Sequence, residues 1–146
     1  MITNLINRLK QYEEGLTSGD TFKEVILQNE KTIIDMNVER QLYLQGVNAL
    51  NVKIDSYMPY RQITIAIKHE KNQPVDRVTL RDTGAFHRDF KIAVSRENFY
   101  IYSNNDKAKK LKKKYGAIFG LTDENLLELI ENIIHPFMLN KLKQTL

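Results

Sequence analysis

After Thr122 the apolar residues recur at helical spacing, with Leu126, Leu127, Ile130, Ile133, Ile134, Phe137 and Met138 on one side. Thr122 or Asp123 is placed to cap this helix. Pro136 should kink it or restart it, because proline has no N–H and its ring collides with the preceding turn. Lys141 and Lys143 near its end suit the negative pole of the helix dipole. So one-sided a helix needs an apolar partner. Together with the N-terminal helices it carries more apolar surface than a small sheet needs, so part of that surface is expected to be buried against a neighbouring subunit or another protein.

The N-terminal part offers more of the same. Ile2, Leu5, Ile6, Leu9, Tyr12 and Leu16 form one amphipathic stripe, stopped by Thr17-Ser18-Gly19-Asp20. Thr21 and Glu24 fit a capping box for a second helix, with Asp20 as an alternative cap. That helix should run from about Thr21 to Leu44, with Phe22, Val25, Ile26, Ile33 and Ile34 inward, a break near Asn29 and a stop at Gly46.

Between 47 and 103 the period changes. Ile63, Ile65 and Ile67 alternate with Gln62, Thr64, Ala66 and Lys68, which reads as a half-buried strand, although so short a run also fits a helix. Residues 71–74 form a turn, and residues 90–102 read as a β-hairpin across a turn at 95–98. The expected fold is therefore α+β in one domain, 1–146. It has a helical part (1–46), a part with a small antiparallel sheet (47–104) and a second helical part (105–146).

Composition narrows the function. With no cysteine, disulfides, thiolate metal sites and cysteine nucleophiles are excluded, which suits a reducing compartment. No apolar run approaches the ~20 residues of a membrane span, and the first residues do not read as a secretory signal, so synthesis in a cytoplasm is expected. Residues 51–120 carry fifteen Lys/Arg against seven Asp/Glu, a balance of +8, whereas 1–50 (five against seven) and 121–146 (two against four) each stand at −2. One positive surface, and hence an anionic partner, follows.

The densest charge is DKAKKLKKKYG, 106–116. Lys107, Lys109, Lys110, Lys112, Lys113 and Lys114 surround a thin stripe of Ala108, Leu111 and Tyr115. This is a helix pinned by one edge with its lysines in solvent. It is a candidate interaction helix for an acidic protein face or for non-specific contact with DNA. Asp82-Thr83-Gly84 matches the catalytic tripeptide of aspartic proteases. That chemistry needs two carboxyls sharing a proton across a dimer, and Arg81 beside Asp82 would hold it ionised. The alternative is a structural corner: Asp82 or Thr83 caps a short helix, Gly84 turns the backbone, and Phe86 and Phe90 anchor that helix to the sheet. His69, His87 and His135 lack metal-ligand spacing, no glycine-rich phosphate loop exists, and no nucleophile elbow surrounds a serine. No catalytic residue, metal, cofactor or small-molecule substrate is expected.

As a unit, PVDRVTLRDTGAFHRDFKIAVSRENFYIY (74–102) resembles the L-x-x-T-G-x-L-x-x-S-i signature (i, an apolar residue) of phage tail-completion and virion-morphogenesis proteins. Leu80, Thr83, Gly84, Phe86 and Phe90 fall on its apolar and turn positions, while Phe86 replaces the usual leucine and Asp89 the small hydroxyl residue. The resemblance implies a virion structural protein of the neck or tail: a head–tail connector, adaptor or tail-completion subunit. Its partners would be further copies in a ring and other virion proteins such as portal, connector or tail proteins, and it would be made in a bacterial host's cytoplasm. The alternatives are a small cytoplasmic DNA-binding or DNA-packaging accessory protein and, third, a dimeric aspartic protease using Asp82.

Overall fold

The structure, a computed structural model, describes residues 3–4, 6–7, 20–95 and 98–145. Residues 3–4 and 6–7 are helical, and most of the amphipathic helix expected over 2–16 lies outside the described residues, as do Arg96 and Glu97 of the hairpin turn. The second helix is built in pieces: α1 (Asp20–Gln28), α2 (Glu30–Asp35) and a widened, π-helical stretch π1 (Met36–Gln45). Its break falls at Asn29, whose side-chain amide donates to the Val25 carbonyl at 2.8 Å and so takes over the acceptor of a backbone helix bond. The capping box is not formed. The chain is already helical at Asp20, and Glu24 pairs with Lys141 at 3.1 Å. Gly46 ends π1 at φ +65°, where an added Cβ would stand 2.9 Å from the Cβ of Arg77.

A short 3₁₀ turn (Ile54–Ser56) leads to α3 (Gln62–Glu70). The strand expected over Ile63–Ile67 is thus a helix. Only Lys68 of α3 is buried, so the alternation did not record an inward face. Then come α4 (Ala85–Arg88), the strands β1 (Phe90–Val94) and β2 (Phe99–Ser103), and α5 (Ala108–Tyr115). The last run is α6 (Asp123–Leu129), π-helical π2 (Ile130–Ile134) and α7 (His135–Thr145). The fold is α+β: helices around one antiparallel hairpin, with Ile92 opposite Ile101 and Phe90 opposite Ser103. A lone hairpin is marginal in water. Here α1 and α2 lie on β1, and Phe90, Ile92 and Ile101 enter a core with Val25, Ile26, Ile33 and Leu129.

Thr122 caps α6, its side-chain oxygen accepting from Asn125 N at 3.2 Å. Pro136 lies in the first turn of α7, directly after π2. The wider π turn relieves the collision of its ring with the preceding carbonyl, so the helix restarts instead of stopping.

The long-range join is polar. Asn37 and Gln41, four apart on π1, are both fully buried. Asn37 donates to the Ile118 carbonyl (3.0 Å) and accepts from Gly120 N (2.9 Å). Gln41 donates to the Gly120 carbonyl (2.9 Å) and accepts from Thr122 N (2.9 Å) and Asn125 Nδ2 (2.7 Å). Two side chains thus satisfy the irregular backbone that delivers α6 to the core. At the rim, Arg40 bonds Asn125 Oδ1 at 2.9 Å and pairs with Glu128.

Gln41→Leu keeps the volume but strands the Gly120 carbonyl, the Thr122 amide and the Asn125 side chain, at about 1–3 kcal/mol for each buried group. Urea denaturation should show a loss of at least about 3 kcal/mol. A change under about 1 kcal/mol would mean that the clamp does not carry the fold.

Candidate interaction surface

The corner is set by its backbone. Gly84, the N-cap of α4, has φ +87°. Neither Asp82 nor Thr83 accepts a bond as the cap; Thr83 Oγ1 instead accepts from Ala85 N at 3.3 Å, tightening the turn before the helix. Phe86 and Phe90 are buried and meet edge to face at 5.1 Å, with Phe119 against both. Just upstream, Leu80 holds φ +57°, a left-handed conformation costing a non-glycine residue roughly 1–2 kcal/mol. Its neighbours fix it there. Buried Thr79 donates its N–H to Tyr60 Oη at 2.9 Å, and Thr79 Oγ1 accepts from Arg81 N at 3.2 Å.

The charges do not pair as neighbours in sequence. Asp82 is exposed and bound by Lys71 Nζ at 2.9 Å, with Gln73 Nε2 donating to its backbone carbonyl at 3.0 Å. Hydrogen bonds from Lys71 and then Gln73 hold its carboxyl below the usual carboxylate range. A proton-sharing dyad needs the opposite shift. Arg81 does not serve Asp82 at all. It reaches back to Glu39 (2.6 Å), lies 4.0 Å from the centre of the Tyr43 ring, and donates to His87 Nδ1 (2.9 Å), because α2 and π1 pass beside it. Burial, and secondly the Arg81 guanidinium, push His87 down to about 4, so it is neutral at physiological pH. Among the described residues no three His, Asp or Glu side chains converge as a metal site, and no helix is long and apolar enough to cross a membrane.

Beside the corner stands α3, and its burial is inverted. Ile63, Ile65 and Ile67 are 69%, 37% and 47% exposed, while Lys68 is 9% exposed. The Lys68 ammonium donates to the Arg81 carbonyl at 2.9 Å and lies 5.1 Å from the centre of the Tyr60 ring. It lines a cavity of about 270 Å³ between α3, the corner and α5, together with Thr64, Thr83, Phe86, Lys107 and Leu111. Across that cavity α5 is seated as its stripe requires: Ala108 and Tyr115 are buried, Leu111 is half-buried, and Lys107, Lys109, Lys110, Lys112, Lys113 and Lys114 are exposed. Among the described residues none of these six forms an ion pair, although Lys114 lies over the Tyr115 ring. Gly84, Phe86 and the lysine helix therefore border one cavity, joined by Tyr60 and by Thr64 and Lys68 of α3.

No family model matches the chain, and neither a curated protein nor a solved structure does.

Two measurements check this geometry. Gly84→Val should lower stability by about 1–3 kcal/mol, because a β-branched residue tolerates positive φ badly, whereas Gly84→Asn should lose far less. Equal losses would remove φ as the reason. His87, depressed in the folded state, contributes stability that is complete above about pH 6.5 and is lost as the pH falls toward 4. Between pH 7 and 5 the loss should be on the order of 1–2 kcal/mol, read by denaturation at each pH. In His87→Gln that part of the slope should vanish; an unchanged slope would contradict the assignment.

Proposed function

We propose that the chain is a phage virion structural protein of the neck or tail, a head–tail connector, adaptor or tail-completion subunit. It acts by assembly and not by catalysis. The observation that carries this reading is α3. A helix that buries a lysine and presents three isoleucines to solvent is placed to be covered. Burying one such side chain contributes roughly 1.5–3 kcal/mol, and exposed apolar patches of this kind mark contact surfaces. The resemblance over residues 74–102 supplies the setting, and the lysines of α5 supply the charge that steers a partner to that face.

The second reading, a DNA-binding or packaging accessory protein, rests on those same lysines. Binding to phosphates would need no isoleucines, and α5 carries no arginine or base-reading side chain. The protease reading has only an exposed, ion-paired Asp82 to offer.

The test converts Lys109, Lys110, Lys112 and Lys113 together to glutamate. The variant should fold like the parent but fail to enter purified particles, while wild type should bind duplex DNA only weakly at physiological salt. Tight DNA binding with a log–log salt slope of about −0.9 per phosphate contact, together with normal incorporation of the variant, would favour the second reading. Absence of the wild-type chain from particles would contradict the first.

A further inference from the structure

The α3–α5 face is apolar and positive, and the same chain carries its complement. On α6 and π2, Glu124, Leu127 and Glu131 follow at i, i+3 and i+7, and all three are exposed, Leu127 at 54%. Ile130 beside them is 42% exposed. Neither glutamate has an ion-pair partner among the described residues, whereas the neighbouring Glu128 is engaged by Arg40. Of the two helices that border the Lys68 cavity, α3 exposes isoleucines and α5 exposes unpaired lysines, while the other patch sets Leu127 and Ile130 beside unpaired glutamates.

We propose that these two patches are the two sides of one contact between copies of this chain: the α6–π2 patch of one copy covers the α3–α5 face of the next. This rests on the assembly reading above and names the partner of its surface. Leu127 and Ile130 would bury Ile63 and Ile67, which lie four apart on one side of α3. Glu124 and Glu131 would meet the lysines of α5, with the Lys68 ammonium as the one positive charge already withdrawn from water. Because the two patches differ, the contact is heterologous. Each copy offers a free patch to the next, and the series closes into a ring where the rotation allows. The opposite signs also disfavour pairing of either patch with itself.

Sedimentation velocity over a concentration series tests this on the full chain. Wild type should self-associate, and more weakly as salt is raised. The four-lysine-to-glutamate variant and the variant Glu124→Lys/Glu131→Lys should each associate at least ten-fold more weakly. An equimolar mixture of the two should recover association, since every contact between unlike variants then pairs opposite charges, reversed at one contact and of wild-type sign at the next. Ile63→Ser/Ile67→Ser changes only solvent-exposed side chains and should lose association while melting like the parent. A wild type that stays monomeric throughout, reversed variants that associate like wild type, or a mixture that does not recover would overturn the proposal. The assembly reading has its own readout. Monomeric wild type that still enters particles sinks this self-contact alone, and associating wild type absent from particles sinks the virion role alone.

Discussion

The rest of the structure depends on two buried amides. Asn37 and Gln41 project from one side of π1 into the segment 118–122, some eighty residues away in sequence, and satisfy its peptide groups where no strand or helix does. A buried backbone without such partners is costly, so this segment has one well-paid position and few alternatives. That position presents Thr122 to cap α6 and lets Leu129 and Ile118 fill the core beside Ile33 and Leu42. The hydrophobic stripe of the C-terminal helix supplies the driving force; the amides decide where it goes.

With α1, α2, π1 and the hairpin committed to that core, α3 and α5 are attached at the margin. The margin is held by polar bonds: Tyr60 to Thr79, Lys68 to the Arg81 carbonyl, Lys71 to Asp82. This explains how α3 is positioned although its isoleucines face outward. The corner at Gly84 serves the same end. It brings α4 and Phe86 against the core and leaves the Lys68 cavity open between α3 and α5. The exposed isoleucines of α3 and the unpaired lysines of α5 thus stand on helices that polar bonds and the corner hold in place.

Legibility followed the range of the interaction. The hairpin, the break at Asn29, the stop at Gly46, the Thr122 cap, the restart at Pro136 and the seating of Ala108, Leu111 and Tyr115 are each decided within a few residues, and each stands in the structure as the sequence indicates. What the sequence hid is non-local. Nothing near Asn37 or Gln41 announces a partner at 118–122, and Asp82 takes its cation from Lys71, eleven residues back, instead of the adjacent Arg81. The isoleucines of α3 misled for another reason. Reading alternation as a strand assumes that apolar residues point inward, and here they do not. Of the candidate site, the Gly84 corner and the lysine helix were visible, while Lys68, Tyr60 and Thr79 were not, because their roles exist only once the corner has folded against α3.

The central claim is that α3 waits for a protein partner while the amide clamp is complete without one. Hydrogen exchange read residue by residue, on dilute free protein and on its assembled form, tests this most directly. The account predicts that the Gly120 and Thr122 amides are protected in both states, whereas amides of 62–70 exchange readily in the free chain and become protected on assembly. Amides of α3 that exchange alike in both states would contradict it.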